Sequence, residues 1–141
     1  MTADNQSPQL RHVVFAVAAE RQTAMAQMFT DLGFTFDTTD LTELGVRVHL
    51  DWDRGIELIS PIAESSGEVA ASVNDFLDRH GDGICTVVVR VPDASAAEEV
   101  AARYGATIRF RQSFAGEGSF LEETDMSVLG LPLTLLATNV S

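Results

Sequence analysis

The stretch Arg11-His-Val-Val-Phe-Ala-Val17 is short, apolar and rich in β-branched residues, which is typical of a β-strand. The spacing of the apolar residues then changes over residues 20–32, where they recur at i, i+3, i+4 and i+7, as on one face of a helix. The residues on that face are Met25, Met28, Phe29 and Leu32. Gly33 follows them and is expected to end the helix. A strand followed by an amphipathic helix begins the pattern that decides the fold.

Three more strand-like segments follow this helix, at residues 34–37, 46–52 and 56–60, with turn residues between them. The first half of the chain therefore predicts the order βαβββ. A linking helix is predicted next, with its apolar face formed by Val69, Val73, Phe76 and Leu77.

The second half of the chain predicts the same order of elements. A strand at residues 84–91 leads to a helix at residues 95–104, which Gly105 is expected to end. Asp93 or Ser95 is the expected N-cap of that helix. The three strands that complete the pattern are predicted at residues 107–114, 119–124 and 131–138.

This repetition predicts an internal duplication within a single domain over residues 1–141. The first module covers about residues 11–61, the linking helix about 67–80, and the second module about 84–138. The fold class is therefore α+β, built from two tandem βαβββ modules.

Composition and charge narrow the classes of function. A hydrophobic content of 45% with 21% charged residues is typical of a folded globular protein. The formal net charge is −12, and all nine cations are arginines scattered along the chain, so neither nucleic acid nor a membrane surface is an expected partner. Solubility explains the acidic balance, and a cationic ligand is the alternative. The polar N-terminus and the single cysteine, Cys85, indicate a cytoplasmic protein without an internal disulfide.

The order and spacing of these segments resemble the vicinal oxygen chelate superfamily of glyoxalases, methylmalonyl-CoA epimerases, extradiol dioxygenases and bleomycin-resistance proteins. Epimerase-like members are similar to this chain at two stretches, Gly55-Ile-Glu-Leu-Ile-Ser-Pro61 and Gly83-Ile-Cys-Thr-Val-Val-Val-Arg-Val91. The resemblance implies a cup-shaped mixed sheet around a pocket for a small organic ligand. A homodimer is the expected assembly.

Metal-dependent members of this superfamily take one metal ligand from each of the first, fourth, fifth and eighth strands. The resemblance places these positions on His12, Glu57, Thr86 and Thr134, or on Leu135 if the last register shifts by one residue. Two protein ligands rarely hold a divalent ion. No cofactor is therefore expected, and a divalent metal on His12 and Glu57 is the alternative.

The turn Trp52-Asp53-Arg54-Gly55 predicts which side chains share a face with Glu57. A three-residue hairpin loop with a bulge would pair Asp51 with Glu57 and bury the apolar residues Val48, Leu50, Trp52, Ile56 and Leu58 under the helices. A two-residue loop would reverse these faces. The same alternation places Thr86, Val88 and Arg90 of the fifth strand in the pocket. The predicted ligand-pocket residues are Arg47, Asp51, Thr86, Val88, Arg90 and Thr134.

Each candidate also has a structural explanation. His12 is expected either to contact the ligand or to be a hydrogen-bonded remnant of a metal site. Glu57 either serves the pocket or pairs with Arg47 or Arg90. His49 is either a base or a solvated residue of an edge strand, and Asp51 either faces the pocket or caps the turn. The acidic run at residues 122–125 indicates a solvated strand end, or one carboxylate that faces the second half of the pocket.

Two classes of function fit this pattern best. The first is a small-molecule-binding protein of the glyoxalase and bleomycin-resistance type with a degraded metal site. The alternative is an isomerase, epimerase or lyase that transfers a proton next to a carbonyl, with His12 and Glu57, and in one version His49, as bases or metal ligands. A role with another protein is a third option.

Overall fold

A computed structural model describes residues 7–63 and 65–140 of the chain. These residues form an α+β structure with three α-helices, α1 (Gln22–Leu32), α2 (Glu68–His80) and α3 (Ala94–Ala102), and one 3₁₀ turn, Ala19–Arg21. The strands are β1 (Gln9–Ala16), β2 (Asp37–Leu41), β3 (Val46–Asp51), β4 (Ile56–Pro61), β5 (Gly83–Arg90), β6 (Thr107–Gly116), β7 (Ser119–Val128) and β8 (Leu131–Thr138). Both halves have the order βαβββ, which confirms the predicted fold class.

The chain divides into two compact units. The first unit consists of residues 12–85, and the second consists of residues 86–140 together with residues 7–11. No helix in the part of the chain that the structure describes is long and apolar enough to cross a membrane.

In the first unit, the strands lie in the order β2-β3-β4-β1, with β1 and β4 parallel and the other pairs antiparallel. Its fully buried residues include Ala16, Val46 and Leu58. On one side, Phe29 of α1 packs against Phe15 of β1, with ring centroids 5.9 Å apart.

The second unit repeats this arrangement with the strand order β5-β8-β7-β6, in which only the β5–β8 pair is parallel. Its core contains Val91, Ala101, Met126 and Leu135. The predicted N-cap is confirmed, because the Asp93 side chain accepts a hydrogen bond of 3.1 Å from the Ala96 backbone.

The second strand is three residues later than predicted. Phe34 and Phe36 alternate like strand residues, but both rings pack edge-on against Phe29, at centroid distances of 5.5 and 6.1 Å. The strand itself, Asp37–Leu41, is mostly polar and exposed. It lies at the edge of its sheet, where polar residues are tolerated because one side of the strand has no neighbour to pack against.

The prediction for the hairpin between β3 and β4 is wrong in the length of the loop. This error exchanges the two faces of β3 relative to β4. Asp51 pairs with Ile56, so the loop contains four residues rather than three. The Gly55 backbone donates a hydrogen bond of 2.9 Å to the Asp51 carbonyl, and Gly55 has a φ of 83°, which a glycine adopts without strain. Glu57 consequently pairs with Leu50, not with Asp51.

Candidate functional site

His12 and Glu57 come together in the first unit. They lie on the parallel neighbours β1 and β4, where Val14 pairs with Glu57, so both side chains project from the same face. His12 Nε2 lies 2.9 Å from Glu57 Oε1. The His12 side chain is 2% exposed and that of Glu57 is 16% exposed.

The His12 imidazole lacks hydrogen bonds although it is buried. Nδ1 has no hydrogen-bond partner among the described residues, and Nε2 lies 2.9 Å from Glu57 Oε1 without a well-aligned hydrogen bond. The Trp52 ring covers the imidazole, with centroids 6.0 Å apart. Buried polar groups are nearly always hydrogen-bonded, so the unpaired Nδ1 of His12 is an unusual feature of this face.

Three residues predicted to join this face lie on the opposite one. Because Glu57 pairs with Leu50, the side chains of Arg47, His49 and Asp51 share their face with Leu58 instead. The prediction that these three lie beside His12 and Glu57 is therefore wrong. It failed because the four-residue loop shifts the alternation of β3 by one position relative to β4.

The contacts of these three residues explain where they lie. Arg47 forms an exposed ion pair of 2.6 Å with Asp40 across the edge of the sheet. His49 packs against Phe36, and burial, together with the charge of Arg47, lowers the pKa of its imidazole. Asp51 accepts hydrogen bonds from the backbone of Thr35 (2.9 Å) and of Arg54 (3.1 Å). Burial alone would raise the pKa of Asp51, but these hydrogen bonds outweigh it and lower that pKa. Asp51 thus holds the turn together.

The polar face predicted for the second half of the chain is observed. Val88 pairs with Thr134, so the side chains of Thr86, Val88, Arg90 and Thr134 share one face of the β5–β8 pair. Thr86 Oγ1 and Thr134 Oγ1 are 3.0 Å apart. Arg90 donates a hydrogen bond of 3.0 Å to the Thr138 carbonyl, which holds its guanidinium along β8.

Asp125 lies on the same face as Thr134, and the sequence indicated this position only indirectly. It lies on β7 opposite Thr134 and accepts hydrogen bonds from Arg109 (3.0 Å) and Thr134 (3.3 Å). Burial raises the pKa of Asp125, although the charge and hydrogen bond of Arg109 act in the opposite direction. The acidic run at residues 122–125 was the signal for this in the sequence. Side chains alternate along β7, so only every second residue of that run lies on this face.

The donor set does not fit the metal that the resemblance implies. Over residues 7–63 and 65–140, no three His, Cys, Asp or Glu side chains come together to hold an ion. His12 and Glu57 provide two donors, and Thr86 and Thr134 provide neutral hydroxyls, which are weak ligands for a divalent cation. A catalytic metal site usually needs three protein ligands, so no chemical step is assigned to a metal here.

Comparison with solved structures identifies the fold. A hypothetical protein from Bacillus halodurans superposes with a TM-score of 0.70 at 18% identity, over 96% of this chain and 98% of that one. Methylmalonyl-CoA epimerase from Mycobacterium tuberculosis superposes with a TM-score of 0.63 at 24% identity, over 92% of this chain and 87% of the enzyme. The chain has the vicinal oxygen chelate fold.

Other structures with the vicinal oxygen chelate fold include larger enzymes. A mutant of 4-hydroxymandelate synthase from Streptomyces coelicolor superposes with a TM-score of 0.72 at 14% identity, over 95% of this chain and 50% of that protein. No family model matches the sequence, and the comparison with curated proteins finds no match. At these identities the likeness establishes the fold, and the activity has to be argued from the side chains.

Proposed function

We propose that this protein binds a small organic ligand and that His12 and Glu57 contact it. The observation that carries the proposal is the buried His12 imidazole, whose Nδ1 has no hydrogen-bond partner among the described residues and whose Nε2 lies 2.9 Å from Glu57 Oε1. Leaving such a group unsatisfied costs about 1–3 kcal/mol, and a bound ligand would recover that free energy. This function matches the binding-protein hypothesis from the sequence.

The His12–Glu57 pair indicates which ligand groups suit the first unit. The imidazole and the carboxylate together offer a donor and an acceptor within one hydrogen-bond length of each other. A ligand with a carbonyl next to an acidic C–H bond could engage both groups. Methylmalonyl-CoA epimerase, which shares the fold, has been solved in complex with methylmalonyl-CoA, and this supports carbonyl compounds as the first class to test.

Proton transfer next to a carbonyl is the second candidate function, and the 2.9 Å separation of His12 and Glu57 favours it. In this reaction the Glu57 carboxylate would remove the proton α to the carbonyl, and His12 would hold the carboxylate in position. Protonation of the opposite face of the enolate by a water molecule would give the epimer, and Glu57 would then release its proton to solvent. His49 has no part in this scheme, because it lies on the other face of the sheet.

A thermal-shift screen tests the binding proposal. The library contains 2-oxo acids, acyl-CoA thioesters and cationic antibiotics. A ligand at about 100 times its dissociation constant should raise the free energy of unfolding by about 2.7 kcal/mol. Glu57→Gln keeps the shape of the side chain and should reduce that shift. Asp78→Asn, an exposed carboxylate on α2, is the matched control and should leave the shift unchanged.

The outcome of the screen separates binding from catalysis. A ligand recovered unchanged after long incubation in deuterated water supports simple binding. Deuterium incorporation or an epimerised product that depends on Glu57 supports proton transfer, and the rate should fall by ~10²–10⁴ in Glu57→Gln. If Glu57→Gln and Asp78→Asn bind every hit as the wild type does, the proposed role of the first unit is wrong.

A further inference from the structure

The β6–β7 pair contains an irregularity that redirects one arginine. Ile108 pairs with Met126 and Phe110 with Asp125, so Arg109 is an extra residue in β6. Such a bulge turns a side chain away from the normal alternation of the strand. The Arg109 guanidinium reaches the Asp125 side, where Nη2 donates to Asp125 Oδ1 at 3.0 Å and to the Met126 carbonyl at 3.3 Å.

A chain of hydroxyl groups leads away from the same carboxylate. Thr134 Oγ1 donates to Asp125 Oδ1 at 3.3 Å, and Thr86 Oγ1 is 3.0 Å from Thr134 Oγ1. A threonine hydroxyl carries one proton, so Thr134, having donated to Asp125, must accept from Thr86. The lone pairs of Thr86 Oγ1 then accept no hydrogen bond from this chain of hydroxyl groups. Asp125 and Thr134 are 7% and 6% exposed, whereas Thr86 is only half-buried.

Apolar side chains share the face of this polar chain. Phe110 pairs with Asp125, and Phe114 and Leu121, which pair with each other, lie on the same side by alternation. The polar pair Gln112–Glu123 lies between them on this side. Phe114 is 46% exposed, so its ring is available to an apolar group. Both side-chain hydrogen bonds to Asp125 go to Oδ1. The Met126 backbone N–H also donates to this carboxylate. A carboxylate accepts about four hydrogen bonds, so with Oδ1 occupied by Arg109 and Thr134 one acceptor position remains on Oδ2 for a ligand.

We propose that Asp125, Thr134 and Thr86 form the polar anchor of a ligand site on this face of the second unit. Asp125 Oδ2 and Thr86 Oγ1 accept hydrogen bonds, so the site takes a hydroxyl or amide N–H group attached to an aromatic or aliphatic body that packs on Phe110, the partner of Asp125 in the sheet. This inference rests on the proposed ligand-binding function and adds a ligand class to it. Arg109 is a positioning residue, because it holds the carboxylate through Oδ1.

Two small probes test the anchor by NMR on the isotope-labelled full chain. Benzamide carries an N–H donor on a ring, and acetophenone has the same ring with an acceptor only. Benzamide should shift the backbone signals of Thr86, Asp125 and Thr134, and acetophenone should bind at least tenfold more weakly. Equal affinities, benzamide-induced shifts confined to other residues, or no benzamide binding would each overturn the proposal.

Substitutions then assign the contact to the carboxylate. Asp125→Asn replaces an acceptor by an N–H₂ donor at nearly the same shape, so benzamide affinity should fall at least tenfold while acetophenone affinity is kept or increased. Thr86→Val replaces the hydroxyl by a methyl group of similar size and should weaken benzamide binding about fivefold, which keeps the test decisive if Asp125→Asn does not fold. Glu99→Gln, an exposed carboxylate on α3, should change neither probe. Unchanged benzamide affinity in Asp125→Asn, or in Thr86→Val, overturns the anchor.

The readouts keep this inference separate from the proposed function. A library ligand whose thermal shift depends on Glu57, combined with no binding of benzamide, overturns the anchor alone. A screen without any hit, combined with benzamide binding that Asp125→Asn abolishes, overturns the role of His12 and Glu57 and leaves the anchor in place.

Discussion

The two units have the same strand order but are packed differently on their helix sides. In the first unit, Phe29 of α1 is surrounded by Phe15, Phe34 and Phe36 at centroid distances of 5.5–6.1 Å. In the second unit, α3 presents mainly alanines and leaves a cavity of about 540 Å³. A repeated topology therefore does not require repeated packing, because strand pairing and chain order suffice to specify it.

The two units also differ in what stabilises their helices α1 and α3. A side chain caps α3, since Asp93 bonds to the Ala96 backbone, whereas no described side chain caps the N-terminus of α1. The longer α1 relies on aromatic packing, and the shorter α3 relies on its cap and on Ala101 in the core. Four substitutions or pairs of substitutions test the differences between the two units.

Phe29→Ala should have the largest effect, because it removes the ring at the centre of the aromatic cluster. Truncating a fully buried phenylalanine costs about 3–5 kcal/mol, and the half-buried Phe29 should lose about 2–3 kcal/mol of unfolding free energy. Urea denaturation measures the change. Leu32→Ala, on the same helix but 68% exposed, should cost under about 0.5 kcal/mol. Similar losses at both positions would contradict the aromatic account of α1.

Asp93→Ala should have the next largest effect. It leaves the Ala96 N–H without its partner at the start of α3 and should cost about 1 kcal/mol, the usual value for loss of an N-cap. Urea denaturation gives the free energy, and amide hydrogen exchange should show faster exchange in the first turn of α3 than in α1. Asp93→Ser, which retains a capping oxygen, should recover most of the loss.

Ala97→Leu should move the second unit towards the packing of the first. Ala97 is half-buried and lines the cavity, so a larger apolar side chain can fill part of it without changing a hydrogen bond. We expect the unfolding free energy to rise by about 0.5–1 kcal/mol. Ala102→Leu, at an exposed position of α3 that does not line the cavity, is the matched control and should be close to neutral. A destabilised Ala97→Leu would mean that the cavity cannot accept the side chain.

The smallest effects concern pH and should have opposite signs in the two units. The hydrogen bond from Arg21 lowers the pKa of Asp82 in the first unit, whereas burial raises the pKa of Asp125 in the second. The contribution of Asp82 is present above its unfolded pKa and is lost as the pH falls through the lower folded value. The cost of ionised Asp125 is present above its raised folded pKa and is relieved as the pH falls towards the unfolded value.

Urea denaturation between pH 3 and pH 7 measures both effects. The unfolding free energy of the wild type relative to Asp82→Asn should fall below about pH 4, by under about 1 kcal/mol because the Arg21 partner is exposed. Relative to Asp125→Asn, it should rise as the pH is lowered from 7. Parallel curves for the two substitutions would contradict the opposite pKa directions.

The sequence predicted the fold well because periodicity reports directly on which element forms. The linking helix ends at His80 as expected, and the last strand has the predicted bounds. Phe34 and Phe36 misled the prediction of β2, since alternation does not distinguish a strand from an extended segment packed on a helix.

The candidate site was harder to predict, because it depends on how strands pair. Parity along β5 was enough to place Thr86 beside Thr134. His49 and Asp51 were assigned to the wrong face, since the length of a hairpin loop is a property of its backbone dihedral angles. The bulge that turns Arg109 towards Asp125 leaves no mark in the periodicity of β6, so this contact could not be inferred.

The four residues between Asp51 and Ile56 have a consequence for how this chain can evolve. Surface loops ordinarily tolerate insertions and deletions, because lengthening them costs little free energy. If one residue were lost and the turn kept four residues, Ile56 would enter the loop and the pairing of β3 with β4 would shift by one residue. This shift would bring His49 and Asp51 to the side of Glu57 and put Val48 and Leu50 on the other side. Natural variation in this loop should therefore consist of substitutions at constant length, with Gly55 the position least free to change.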